Sequence, residues 1–255
     1  MTSLKQLISL VIAITAFAYT FYSMGKLIMF LSAPTKVRKE YVWVLNLLDN
    51  KSRLQTAFVA ILLDTAYIIV FILQHSVMKS QIVKSIIYKV GLGVAERAIY
   101  SLTSAICLLY LIDNWRPAPT IILWQVDVAN SNALYWTFIL IHALAWIIIY
   151  GGSIIMDLPE IVGIKQVYYD MKNYAPPMAY KSFELKHLYG HVRHPSFIGL
   201  TTVLWVTNLM SIDRLVLASL LTLYMYVAWS TDHNDVIYQK CQLTRKQTEL
   251  KHQRY

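Results

Sequence analysis

Six runs of apolar residues, each near the length a bilayer requires, constrain this chain more than any other feature. They cover residues 7–31, 54–74, 94–112, 133–155, 195–210 and 215–230. A backbone in hydrocarbon must satisfy its own hydrogen bonds, so such runs fold as helices. The expectation is an all-α, polytopic transmembrane helical bundle of about six spanning helices. Composition agrees, since 57% of the 255 residues are hydrophobic and only 15% are charged, outside the usual range of a soluble domain. Residues 1–235 read as one transmembrane domain and residues 236–255 as a basic tail. The first run is too long for the apolar core of a signal peptide and reads as an uncleaved anchor.

The connections refine this picture. Only Ser211-Ile212-Asp213-Arg214 separates the last two runs, which predicts a tight antiparallel helical hairpin. The longest loop, 156–194, carries Tyr168, Tyr169, Tyr174, Tyr180 and Tyr189 and is broken by Pro176-Pro177. Tyrosine favours the headgroup level, so this loop is expected along the membrane surface. With six spans, the termini share a side with the second and fourth loops. That side holds fourteen basic residues against seven opposite, which places both termini in cytoplasm or nucleoplasm. Five of the seven lie in the first loop and oppose the assignment.

A net charge of +9 raises the question of nucleic acid. No binding motif accompanies it, and basic loops at one membrane face account for it, so nucleic acid is not expected as a primary partner. Cys107 lies in an apolar span and Cys241 in the tail, a pattern of neither disulfide scaffold nor zinc site.

Polar residues within spans are costly and therefore informative. Asp64 reads either as a ligand or proton site or as a carboxylate bonded to a neighbouring helix, with Arg97 a candidate partner; the second reading is favoured. His142 likewise fits an interhelical hydrogen bond better than a catalyst. Glu96 and Arg97 sit at a helix entrance, where charge reaches the interface cheaply, although Arg97 also suits bidentate grip of a carboxylate or phosphate. His75 closes the second span at the depth expected for His194. His187, His191 and His194 are spaced to share a helical face, but Pro195 turns its predecessor away from helical geometry. For His187 and His191 an amphipathic surface is the preferred reading. Arg193 and His194 are placed instead on a bent segment at the mouth of a helix that starts at Pro195.

The block Arg193-His194-Pro195, with Phe197 and Gly199, resembles the signature of isoprenylcysteine carboxyl methyltransferases and their membrane relatives. A closer resemblance is to the nurim family of multi-pass inner nuclear membrane proteins. It rests on Gln74-His75-Ser76, Glu96-Arg97, His142 with Ala145-Trp146, Gly163 to Tyr169 and the block ending Val203-Leu204-Trp205, across roughly residues 55–235.

The methyltransferase resemblance implies an S-adenosylmethionine site served by Arg193 and His194, with Arg97 orienting an acidic substrate. Phe197 replaces the tyrosine common in those enzymes, and Asp232 and Asp235 stand where paired glutamates are expected. Through NnrU-type relatives the resemblance implies haem ligation by His75 and His194. The nurim resemblance itself implies a structural protein of the nuclear envelope, with the lipid bilayer and nuclear envelope proteins as partners. The combined expectation is a nuclear inner membrane protein without assigned catalytic or metal residues. Its cytoplasmic half keeps a cofactor- or ligand-binding pocket of His75, Arg97, Arg193 and His194. The runner-up is S-adenosylmethionine-dependent methylation of a lipid-like or lipidated substrate, and haem binding is the third reading.

Overall fold

In a computed structural model the chain is described over residues 4–36, 51–118, 121–181 and 196–228, with isolated positions 237, 241 and 244 in the tail. The described residues form α1 (Leu4–Ser32), α2 (Lys51–Lys79), α3 (Gln81–Val90), α4 (Glu96–Asp113) and α5 (Asn132–Ile155). They continue with α6 (Leu158–Val162), α7 (Ile164–Met171), α8 (Phe197–Trp205) and α9 (Ile212–Ala228). Strands β1 (Ile122–Gln125) and β2 (Leu209–Ser211) pair antiparallel. The chain is an all-α polytopic protein carrying one small two-stranded clasp.

Helices α1, α2, α4 and α5 supply four candidate membrane spans, each long and apolar enough to cross a bilayer. Their outer faces carry large exposed apolar side chains, among them Val11, Leu62, Ile147 and Phe58. A lipid-facing surface needs this, because hydrocarbon solvates such groups as well as a protein interior does. Between helices the contact is made by small residues. Ala13, Ala16 and Ala98 form a cluster with Val167, which lets α1 and α4 approach closely. A larger core of Ile68, Leu111, Trp146, Val203, Leu204, Leu217 and Met225 joins α2, α4, α5, α8 and α9.

The last two expected spans need correction at their bounds. Helix α8 ends at Trp205 rather than at Met210, and α9 begins at Ile212. Met210 and Ser211 belong to β2, whose partners are Trp124 and Ile122. The expected link residues Asp213 and Arg214 are thus the first turn of α9, and Asp213 is 1% exposed. The nine residues of α8 rise about 13 Å, under half of a hydrocarbon core of about 30 Å.

One end of the bundle, here the basic end, gathers the start of α1, the end of α2, α3, the start of α4, the end of α5, and α6 and α7. Lys5 packs against Gly91, Gln6 donates to Asp170 at 3.2 Å, and Lys84 pairs with Glu96 at 3.2 Å. Helix α3 was not anticipated from sequence. Ser80 caps its start, and Gly91, at φ +84°, closes it with the Leu92 N–H bonded to the Ile87 carbonyl. The described part of the tyrosine-rich loop, residues 156–181, folds into α6, α7 and a 3-10 turn at Pro177–Tyr180. Tyr169 packs edge-on against Tyr174 and Tyr180, at 5.7 and 5.9 Å between ring centroids.

Gly163 joins α6 to α7 at φ +96° and abuts the start of α4. A Cβ there would lie 2.8 Å from Ala98 Cα and 2.9 Å from the Arg97 carbonyl carbon. Both the left-handed backbone and the approach demand glycine.

Candidate functional site: an intramembrane cavity at the basic end

Helices α1, α2, α4, α5 and α6 line a half-open cavity of about 280 Å³. Its lining is mostly apolar, with Leu158, Ile161 and Val162 of α6 toward the basic end and Met24, Phe71 and Leu108 deeper, and the polar side chains of Thr20, His75, Tyr100, Ser101 and Ser104 are set among them. No Lys, Arg, Asp or Glu lines the cavity among the described residues.

Among the described residues, His75 is the expected site residue that lines the cavity. Its ring sits between Phe71 and Tyr100, with centroids at 4.7 and 5.6 Å. Nδ1 lies 3.1 Å from the Phe71 carbonyl. A carbonyl only accepts, so Nδ1 carries the proton and Nε2 is left with its lone pair. Nε2 has no hydrogen-bond partner among the described residues.

Arg97 stands beside this cavity rather than in its wall. Its Nε–H donates to the Ile161 carbonyl at 3.0 Å, and the guanidinium lies 5.4 Å from the centre of the Tyr100 ring. Ser101 donates to the same carbonyl at 3.2 Å. Ile161 belongs to the last turn of α6, where carbonyls lack helical partners, and Arg97 and Ser101 supply donors. Ile161 and Tyr100 both line the cavity, so Arg97 braces its rim.

Two other intramembrane polar residues resolve as structure. His142 is 2% exposed, its Nε2–H donating to the Val206 carbonyl at 2.6 Å while Nδ1 accepts from the Ser32 hydroxyl at 2.7 Å. The Trp146 indole donates to that hydroxyl at 2.8 Å. Every donor and acceptor in the network is used, tying α1, α5 and the end of α8 together, as the favoured reading anticipated. Asp64 is bonded between elements as expected, but its partner is not Arg97. Its Oδ1 accepts the Arg116 backbone N–H at 3.0 Å, at the opposite end of α4. Nearby, Asp213 Oδ2 accepts the Trp115 indole N–H at 3.0 Å, and Arg214 lies close enough to act on both carboxylates.

Arg193 and His194, with His187, His191, Asp232 and Asp235, lie outside the described residues. Of the block they belong to, Phe197 and Gly199 are seen in α8. A Cβ on Gly199 would stand 2.7 Å from the Ala145 carbonyl oxygen and 2.8 Å from Ile149 Cγ1. Glycine there lets α8 cross α5 in close contact. Gly199 meets Ala145 and Ile149 while Val206 meets His142, so α8 runs antiparallel to α5 and starts at the end that holds the cavity.

Sequence reasoning missed Thr20, Tyr100, Ser101, Ser104 and Ser153. The signal was present for α4, where Tyr100, Ser104 and Leu108 recur at helical spacing with Ser101 alongside. S-adenosylmethionine carries a sulfonium, an ammonium and a carboxylate, and haem carries two propionates. Among the described residues the lining carries no charge to meet these groups, and Arg97 beside it is the described cation of the expected set.

No family profile matches the chain, and no solved structure does. Among curated proteins it is 58% identical over 251 residues to "Nurim homolog" of Drosophila melanogaster, spanning 98% of this chain and 99% of that protein. It is 38% identical to "Nurim" of Danio rerio over 190 residues, 73% of this chain and 68% of the relative. "Nurim" of Homo sapiens is 35% identical over 187 residues, 72% of this chain and 70% of the relative.

Proposed function

This chain belongs to the nurim family, and on that premise we propose that it resides in the inner nuclear membrane as a multi-pass protein with both termini facing nucleoplasm or cytoplasm. The observation that carries the location is the match to nurim relatives across nearly the whole chain. Orientation is supported by the basic end, where Lys5, Lys84, Lys89, Lys165 and Lys172 accompany the chain's start.

The role is that of a membrane-embedded structural protein that keeps a ligand pocket at its basic end. His75 forms part of the wall and Arg97 braces the rim, and we add Arg193 and His194, which precede α8 in the chain, as further pocket residues. Support comes from the direction of α8, whose start faces the cavity end, and from the open Nε2 of His75. The bilayer is the principal partner, with nuclear envelope proteins as further partners.

Epitope-tagged chain in cells tests this reading. Antibody should reach neither terminal tag when only the plasma membrane is permeabilised, and both once the nuclear envelope is opened. Immunogold should fall on the inner envelope membrane. Label spread evenly through the endoplasmic reticulum would overturn the location, and a tag in the lumen would overturn the orientation.

A further inference from the structure

The cavity's own chemistry specifies its occupant more narrowly than "a ligand". We propose that it holds a neutral lipid alcohol taken from the bilayer, with the hydroxyl donating to His75 Nε2 and the hydrocarbon directed past Phe71 and Leu108. This rests on the reading of the cavity as a pocket and adds the class of occupant.

Three observations carry it. The lining is mostly apolar, with Phe71, Leu108, Ile149 and Val162 around a few polar groups that include His75, which matches a molecule with a small polar head and an apolar body. No charged side chain lines the cavity among the described residues, and Arg97 beside it is engaged by the Ile161 carbonyl and the Tyr100 ring, so the described wall favours an uncharged head. The bond from His75 Nδ1–H to the Phe71 carbonyl makes Nε2 an acceptor, so the complementary head must donate.

Three neighbouring hydroxyls already donate to the protein or lie against its carbonyls: Ser101 donates to the Ile161 carbonyl, Ser104 lies 2.8 Å from the Tyr100 carbonyl, and Ser153 donates to the Ile149 carbonyl at 2.9 Å. His75 Nε2 is thus an open acceptor in the cavity wall, and Thr20, whose buried hydroxyl has no partner among the described residues, can bond the same head group. A glycerolipid with a free hydroxyl and a sterol both meet this requirement, and the two sources are separated by labelling.

The test uses the full chain in nanodiscs with two photoreactive, alkyne-bearing probes, a monoacylglycerol and a sterol. Expected is saturable labelling by at least one probe, mapped to peptides containing Phe71–His75 or Tyr100–Leu108. The probe that labels names the source. Unlabelled long-chain alcohol should compete, whereas its methyl ether, which cannot donate, should compete about tenfold less well. His75→Phe should lower labelling about tenfold, and His75→Gln, which keeps an acceptor, should restore part of it. Ala105→Phe, filling the deep end, should abolish labelling in protein whose helical circular dichroism is unchanged.

Equal competition by alcohol and ether would overturn the lipid-alcohol assignment and leave the pocket intact. Labelling that survives Ala105→Phe would place the lipid elsewhere and overturn the proposal. Absence of labelling by either probe in folded protein would overturn it as well. Labelling by a photoreactive fatty acid alone would replace the alcohol with an anion and leave the pocket reading standing.

Discussion

Gly163 and Ala98 meet backbone to backbone, with no room for a side chain between them. This contact seats α6 and α7 on the start of α4 and so sets the floor of the cavity. Gly163→Ala should destabilise the protein by more than the ~1–2 kcal/mol of left-handed strain, because the added methyl also strikes main-chain atoms. Gly25→Ala is the control, since nothing lies within 4 Å of its added Cβ; it should be neutral or stabilising by up to about 1 kcal/mol. Thermal unfolding in detergent compares the two, and equal midpoints would refute the packing argument.

His142 is expected to matter for stability and not for ligand. His142→Phe leaves the Val206 carbonyl and the Ser32 hydroxyl without their partner, at a cost of about 1–3 kcal/mol for each buried group. Photolabelling of the folded fraction should match the parent protein. A stable variant that loses labelling would reverse this assignment.

Asp64 and Asp213 should prove energetically coupled through Arg214. Asp64→Ala removes both a charge and the acceptor of the Arg116 N–H, and a loss of roughly 3–5 kcal/mol is expected for an uncompensated buried partner. Asp64→Asn keeps an acceptor and should cost less. In a double-mutant cycle the Asn substitutions at 64 and 213 should deviate from additivity by about 0.5–3 kcal/mol. Simple addition would mean the two sites act independently.

Lys165, in α7 outside the spans, hydrogen-bonds Asp157, which raises its pKa above the ordinary 10.5. A raised folded-state pKa means the stabilisation is fully present below the unfolded value and lost as pH climbs through the folded one. The contribution is small because the pair is partly solvated. A series of unfolding midpoints from neutral to alkaline pH should show a decline above about pH 10.5 that Lys165→Met lacks. A parallel decline in both proteins would remove the pair as the cause.

Long apolar runs made α1, α2, α4 and α5 legible within a few residues, because a span's length is imposed by the bilayer and needs no tertiary knowledge. The other elements answer to local or distant partners. Ile122 to Gln125 is too short to declare itself a strand, and its identity depends on β2 far along the chain. Asp213 and Arg214 read as a link because they are charged, yet their charges are met by neighbours from elsewhere in the fold. His75 was identifiable from its position near a span's end. The serines and tyrosine beside it were not, because a hydroxyl in a span can satisfy itself on the carbonyl one turn back and carries no obligation to face a cavity.

The clasp also dictates an order of assembly. Val126 donates to the Asn208 carbonyl and Ile212 to that of Ile121, so β1 is complete only once β2 arrives, with α5 to α8 synthesised in between. Asn208 in turn exchanges two hydrogen bonds with Thr35, just past α1. During biogenesis, the earliest inserted helix and the middle of the chain therefore wait for the last helical pair. A chain that has not yet reached residue 208 leaves β1 and Thr35 without the partners that the finished fold gives them.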